Sequence, residues 1–309
     1  MKPRILLTGK NGQVGFELHR LLLALGQVVA PDRYALDLLD ANSIRRTVRD
    51  VRPQLIVNAA AYTAVDAAET DQVNAHAINA EAPAILAEEA KKIGAALVHY
   101  STDYVFDGSK KAPYEETDTT NPINVYGKTK LAGEQAVRSS GVPHLIFRTA
   151  WVYATRGRNF LLTILRLAAE REELKIVCDQ IGAPTCAADI AAATTKILAN
   201  IYSQNNEAPA FSKITGTYHM TAAGQTTWYD FARAILDGAS HTSQVRSWFA
   251  AATQGRPLLA RRIIPILASE YGSRTPRPAY SVLSNSHLAQ TFSIALPDWR
   301  TQLQHCFAS

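Results

Sequence analysis

The chain has 309 residues, 47% of them hydrophobic and 19% charged, with 16 Gly and 14 Pro, which excludes collagen-like, coiled-coil and disordered classes and fits a globular protein. Its length suits one large α/β domain or two unequal lobes, with a core large enough to hold a ligand cleft. The net charge of +5, from 32 Lys+Arg against 27 Asp+Glu, is spread without a basic block; it permits anionic ligands and gives no reason to expect nucleic acid.

Met1-Lys2-Pro3-Arg4 leads directly into the apolar run Ile5-Leu6-Leu7, and the apolar stretch Leu21–Leu25 is far too short to span a membrane. A cytoplasmic chain without membrane association is the expectation. The first strand, Ile5-Leu6-Leu7, is followed by Gly9-Lys10-Asn11-Gly12-Gln13-Val14-Gly15 and then by Val14, Leu18, Leu21, Leu22 and Leu25 at helical spacing, closed by Gly26. Glycines at Gly9, Gly12 and Gly15 allow a tight turn, close approach of a pyrophosphate to the helix N-terminus, and close helix–strand packing, which points to a dinucleotide site. A second strand, Val28-Val29-Ala30, ends at Pro31-Asp32, about where a carboxylate would bind the ribose hydroxyls of the cofactor. Arg33 beside it would suit a 2′-phosphate, so NADH and NADPH both remain open.

A helix carrying Ile44 and Val48 precedes the strand Leu55-Ile56-Val57; Ala77–Ile93 reads as one long helix and Leu97-Val98-His99-Tyr100 as a strand. Gly127–Val137 reads as helix and Leu145-Ile146-Phe147 as strand. Short apolar strands alternating with helices predict a doubly wound, parallel, Rossmann-like α/β sheet over residues 1–148. From 149 to 309 seven prolines break the pattern, which predicts a smaller, irregular substrate lobe, with a segment near 185–200 free to return to the first domain.

Tyr126 and Lys130 stand four apart at the start of a predicted helix, so they share a face. A nearby ammonium favours the phenolate, and the pair is expected to lower the Tyr126 pKa and to deliver a proton to a carbonyl oxygen as hydride reaches the carbon. The strand ending in Ser101-Thr102-Asp103 supplies a hydroxyl, Thr102, placed to hydrogen-bond both substrate oxygen and tyrosine. Cys178, Cys186 and Cys306 form no CxxC, and the 8 His show no zinc spacing, so no disulfide framework or metal site is expected. Glu115-Glu116-Thr117-Asp118 is an acidic loop that would border the site mouth.

These elements resemble the extended short-chain dehydrogenase/reductase family. Asn58–Asp66, His99–Gly108, Asn124–Gly127, Arg148–Tyr153, Asp179–Thr185 and Thr226–Ala232 narrow the resemblance to its dTDP-4-dehydrorhamnose reductase branch. The resemblance implies reduction, by NADPH or NADH, of the 4-keto group of dTDP-4-dehydro-L-rhamnose to dTDP-L-rhamnose, for cell-surface polysaccharide. Residue by residue, it makes Tyr126 the proton donor and Lys130 its partner, sets Thr102 and Asp103 against the sugar, and makes Trp151 a wall of the sugar or nucleotide pocket. Gly12, Gln13, Val14, Asp32, Ala61, Tyr62, Thr63 and Tyr100 would line the cofactor, and Arg277 would clamp pyrophosphate.

Two positions depart from that branch. Some members hold Mg2+ across a homodimer through an acidic residue in the first helix, matched by Glu17, and a glutamate after Gly-Ala-Pro-Thr; here that second position is Ala188, with Asp189 adjacent, which argues against a metal-bridged dimer. In Arg277-Pro278-Ala279-Tyr280-Ser281, Tyr280 stands where Asn is expected. Another nucleotide-sugar reductase or epimerase, and a non-catalytic cofactor-binding regulatory subunit of the methionine adenosyltransferase type, are the alternatives; retention of Tyr126, Lys130 and Thr102 argues against the second.

Overall fold

The computed structural model describes residues 2–204, 209–240, 246–273 and 275–308. The first half runs β1 (Arg4–Thr8), α1 (Gln13–Leu22), β2 (Gln27–Val29), α2 (Ala41–Val51), β3 (Leu55–Asn58), α3 (Val65–Ala68), α4 (Gln72–His76), a π turn at Ala77–Glu81, α5 (Ala82–Lys92), β4 (Ala96–Thr102), α6 (Val125–Ser140) and β5 (His144–Thr149). The second half adds β6 (Val152–Tyr153), α7 (Phe160–Glu170), β7 (Glu173–Val177), β8 (Ile181–Gly182), β9 (Thr185–Cys186), α8 (Ala187–Gln204), α9 (Pro209–Ser212), β10 (Gly216–His219) and β11 (Thr226–Thr227). It closes with α10 (Trp228–Ser240), α11 (Ser247–Thr253), β12 (Arg262–Ile266), α12 (Ala268–Tyr271), α13 (Ser286–Phe292) and α14 (Trp299–Ala308).

Six parallel strands form the main sheet in the order β2-β1-β3-β4-β5-β10. The chain steps from β1 out to β2 and then crosses to β3 on the other side of β1, so the strand order reverses between β1 and β3 and opens a crevice at their C-terminal ends. Register aligns those ends: Thr8 faces Asn58, Thr102 faces Thr149, and Arg148 faces His219. The strands read as continuous apolar runs because both faces are covered. Alternate residues serve opposite layers, with Leu6, Ile56, Leu97 and Ile146 packing under α2, α5 and α6, and Ile5, Leu7, Leu55, Val98 and Phe147 packing with Leu18 and Leu22 of α1 and Ile190, Ile197 and Leu198 of α8. A second core joins Leu161, Leu165, Phe231, Ile235, Trp299, Leu303 and Phe307 from α7, α10 and α14.

Helix α8 packs Ile190, Ile197 and Leu198 into the layer on the first sheet, where Leu288 and Leu296 also lie, and β10 pairs with β5 at its edge. The sixth strand and the parallel β7–β12 pair add to the sequence reading. The helix expected over Ala77–Ile93 begins with a π turn instead. Pro83 has no N–H to donate to the Asn79 carbonyl one turn earlier, which loosens the ladder there. The freed backbone is pressed against α6, where a methyl on Gly133 would lie 2.1 Å from the Asn79 oxygen.

Candidate active site

The glycine turn lies at the crevice between β1 and β3. Gly9 has φ +73°, a methyl there would lie 2.6 Å from the Ala60 nitrogen, and one on Gly15 would lie 2.0 Å from the Gly9 oxygen. Only residues without a Cβ satisfy both approaches. The Gly12 N–H donates to the Gly9 carbonyl at 2.9 Å, and no side chain caps the start of α1, leaving its N–H groups to a ligand. A cavity of about 250 Å³ opens here, lined by Gly9, Lys10, Gly12, Asp32, Arg33 and Ala61 among others. The cradle fits the phosphates of a dinucleotide, and Asp32, Arg33 and Lys10 put both signs of charge on the same cavity. One Asp32 oxygen accepts the N–H groups of Tyr34 and Ala35, each at 3.0 Å, which fixes the carboxylate at the rim.

The other residues expected at the cofactor are distributed differently. Val14 packs into the sheet layer. Gln13 accepts a hydrogen bond from Asn159 Nδ2 at 2.8 Å and so ties α1 to the entrance of α7. Tyr62 and Thr63 lie beyond Ala61, outside the lining of this cavity; the Tyr62 hydroxyl donates to Asp71 at 3.1 Å, and Thr63 is exposed. The Tyr100 hydroxyl pairs with Thr194 in the core at 2.7 Å, so that residue offers the site its carbonyl alone.

That carbonyl receives Lys130 Nζ at 2.6 Å. Helix α6 presents Tyr126, Lys130 and Glu134 at successive four-residue steps, and its start is fixed twice: Asn124 Oδ1 accepts the Gly127 N–H at 2.8 Å and Glu69 Oε1 accepts the Val125 N–H at 2.8 Å. Burial pulls the Lys130 ammonium down to about 8, with Glu134 opposing. Burial also pushes the Tyr126 phenol up to about 12, against a hydrogen bond with Thr102. This corrects the expected lowering: the ammonium is directed at the Tyr100 carbonyl, and removal of the phenol from water outweighs it.

Thr102 is buried; its hydroxyl donates to Asp103 Oδ1 at 3.0 Å and accepts the Tyr104 N–H at 3.2 Å. Asp103 is 2% exposed, and its Oδ2 has no protein partner. Burial, opposed by hydrogen bonds from Ser281 and Thr102, raises this carboxyl to about 6. A buried acceptor with a free oxygen beside the Tyr126 phenol is suited to a sugar hydroxyl.

Trp151 stands just past the end of β5, two residues beyond Thr149, the register partner of Thr102. Its φ is +47°, and its ring stacks on Trp228 with centroids 3.4 Å apart at 5°. Arg277 is engaged with the Asp66 carboxylate at 2.8 and 2.9 Å and lines a second cavity of about 510 Å³ with Phe160, Gln180, Trp228 and Pro276. Tyr280, at the departing position, donates to Gln225 Oε1 at 3.1 Å. In the acidic loop, Glu116 accepts the His219 N–H at 2.7 Å and Asp118 pairs with Lys110 at 2.5 Å, so both brace the loop.

Sequence reasoning missed Glu134, which is fully buried and takes Arg148 through two hydrogen bonds of 2.9 and 2.7 Å, with Arg138 at 3.0 Å. It also missed Trp228. Among the described residues no group of three or more His, Cys, Asp or Glu side chains is arranged to hold a metal ion; Glu17 pairs with Arg20 at 3.3 Å, and Ala188 offers no ligand. Cys186 and Cys306 are buried, with sulfurs 3.2 Å apart.

A doubly wound sheet with a glycine cradle at its switch point, facing a Tyr–x–x–x–Lys helix bonded to the adjacent strand end, defines a nicotinamide-dependent oxidoreductase of the extended short-chain dehydrogenase/reductase class. All 309 positions, residues 1–309, match the family described as RmlD substrate binding domain. The chain is 52% identical over 303 residues to a dTDP-4-dehydrorhamnose reductase of Burkholderia thailandensis, covering 98% of this chain and 97% of that one. Identity to the corresponding enzyme of Escherichia coli K12 is 43%, over 96% of this chain and 94% of that one. A crystal structure of dTDP-4-dehydrorhamnose reductase from Bacillus anthracis in complex with NADP superposes with a TM-score of 0.86 at 33% identity, covering 100% of this chain and 99% of that chain. The chain belongs to the dTDP-4-dehydrorhamnose reductase family.

Proposed function

We propose that the chain reduces the 4-keto group of dTDP-4-dehydro-L-rhamnose, giving dTDP-L-rhamnose, with Tyr126 as proton donor. The observation that carries the residue assignment is the union of one helix face, Tyr126 and Lys130, with the buried Thr102–Asp103 pair at the end of β4. The reduced nicotinamide, held through the Gly9–Gly15 cradle and Asp32, supplies hydride when bound. Tyr126 keeps its proton throughout the neutral range because burial raises it, so it gives up that proton only to an oxygen that is becoming alkoxide. Thr102 holds the phenol, Lys130 places positive charge behind it, and the free oxygen of Asp103 orients a neighbouring sugar hydroxyl. Trp151 forms a wall for the sugar.

Both reduced dinucleotides serve. Asp32 accepts from free ribose hydroxyls, while Arg33 and Lys10 on the same cavity attract a 2′-phosphate. We assign the first sheet, including α8 and β10, to the cofactor and the second core to the nucleotide sugar. We place the reaction in the cytoplasm, where both ligands reside; among the described residues no helix is long and apolar enough to cross a membrane. The test is loss of reduced-nicotinamide absorbance when purified protein meets NADPH or NADH and the 4-keto sugar nucleotide. Cofactor binding without any oxidation above background would reject the proposal.

A further inference from the structure

Trp151 has an uncommon backbone for its size. A left-handed φ of +47° crowds the Cβ of a bulky residue, and such conformations persist only where surrounding contacts dictate them. Two contacts do so here. A methyl on Gly182 would lie 2.4 Å from Trp151 Cε2 and 2.6 Å from Cζ2, so the Gly182 backbone is pressed directly against the indole. Trp228 lies over the same ring at 3.4 Å and 5°, a nearly eclipsed stack that aromatic pairs do not favour by themselves.

The local fold brings these two contacts together. Strands β8 and β11 pair antiparallel with Gly182 opposite Thr226 and Ile181 opposite Thr227, which brings the start of α10, and with it Trp228, against the strand that carries Gly182. The Thr227 hydroxyl accepts the Asp230 N–H at 3.0 Å and donates to Asp230 Oδ2 at 3.0 Å, pinning the first turn of α10 and hence Trp228. Behind Trp228 stands Phe160, with centroids 4.5 Å apart, and behind that Phe231, a fully buried member of the second core. A line of aromatic rings thus runs from that core to Trp151 at the end of β5.

We infer that Trp228 is a positioning residue for sugar-nucleotide recognition: with Gly182 it clamps Trp151 in its left-handed conformation and so sets the wall against which the sugar rests. This rests on the proposed reading of Trp151 as that wall. Without Trp228 the Trp151 backbone relaxes toward negative φ and carries the indole out of its place past the end of β5. The cofactor cradle, on β1 and α1, is untouched.

The test compares Trp228→Leu, Trp228→Phe and Gly182→Ala in the full chain, with NADPH and the 4-keto sugar nucleotide. Trp228→Leu raises the sugar-nucleotide KM by about tenfold or more while kcat changes by less than about threefold, and Trp228→Phe, which keeps a stacking ring, stays within about threefold in both. NADPH affinity, read by nicotinamide fluorescence, is unchanged in each. Gly182→Ala shifts KM in the same direction and, like Trp228→Leu, removes the exciton couplet of the two stacked indoles in circular dichroism, which keeps the idea testable if the leucine variant does not fold. A wild-type KM in Trp228→Leu overturns the inference, as does an equal loss of KM, kcat and NADPH affinity, which marks a general folding defect. A wild-type chain that leaves the sugar nucleotide unreduced rejects the functional reading instead. The clamp is then read from the couplet alone: its absence in the wild type, or its persistence in Gly182→Ala, overturns it.

Discussion

Tyr126 and Lys130 share one helix face, yet burial moves them apart: the phenol up to about 12 and the ammonium down to about 8. As pH rises, Lys130 loses its proton first. Between about 6, above which Asp103 is ionised and free to accept a sugar hydroxyl, and about 8 both Tyr126 and Lys130 are protonated, the state suited to giving a proton to a ketone, so kcat/KM for reduction is expected to be flat in that window and to fall above about 8. A profile that stays flat to pH 10 contradicts this assignment. The stability consequence has a definite sign. Between about 8 and the ordinary lysine value of 10.5 the unfolded chain holds a proton that the folded chain does not, so stability rises with pH across that window, and the cost of burying the charge is fully present below it. Lys130→Met is therefore expected to lose activity and to gain Tm relative to wild type, the gain largest below pH 8 and shrinking toward 10.5; melting curves across pH check it. Tyr126→Phe is expected to cut kcat at least about a hundredfold with NADPH affinity little changed, as for a lost general acid. The Tyr126–Lys130 spacing was legible because helical periodicity brings residues four apart onto one face. The direction of the phenol's shift was not, because it depends on how much protein covers the ring and on where Lys130 Nζ is directed.

At the scale of the element, α6 is a placed part. Asn124 and Glu69 fix its start, and one turn past Lys130 the buried Glu134 takes Arg148 at the end of β5. Removing one partner of such a pair leaves the other charge buried alone, so Glu134→Ala is expected to destabilise the chain by about 3–5 kcal/mol, measured by denaturant unfolding. If Glu134→Ala falls within 1 kcal/mol of wild type, the pair does not pin the helix. Glu134 stands 14 positions before Arg148 and carries no local signal, so only the β4–β5 register and the helix crossing reveal it. The strands β1, β3, β4 and β5 were readable because they are buried on both faces and nearly uniformly apolar. Strand β10, Gly-Thr-Tyr-His at the sheet edge, is only partly buried and lacks that signature. The π turn before α5 escaped for a different reason: hydrophobic periodicity reports which face is buried, and the cue was Pro83, whose missing N–H acts four residues upstream.

Over the whole molecule, the second half of the chain does not simply follow the first. Helix α8 covers one face of the main sheet with Ile190, Ile197 and Leu198, β10 pairs with β5, and Leu288 and Leu296 complete the same layer. The glycine turn is also bound to the later residues, through the Asn159–Gln13 hydrogen bond of 2.8 Å and the Arg156 guanidinium 3.5 Å from the Phe16 ring centre. The sequence reading drew a boundary near residue 148 because strand–helix alternation stops there, and alternation records chain order without recording which later segments return. A fragment ending at Thr149 would keep five strands, lose the helix over one face, and expose Leu18, Leu22, Val57, Val98 and Phe147 to water. Burial of large apolar side chains of this kind contributes about 1.5–3 kcal/mol each, in sum comparable to the 5–15 kcal/mol typical of a whole domain's net stability. The fragment is therefore expected to lack a cooperative thermal transition and to bind no NADPH. The intact chain, by contrast, is expected to melt at a higher temperature with NADPH present, since saturation at about 100 times Kd adds about 2.7 kcal/mol. Calorimetry of both, with and without NADPH, decides the matter: a cooperative, NADPH-stabilised transition in the fragment would show that the first sheet is self-sufficient and that the returning segments merely rest on it.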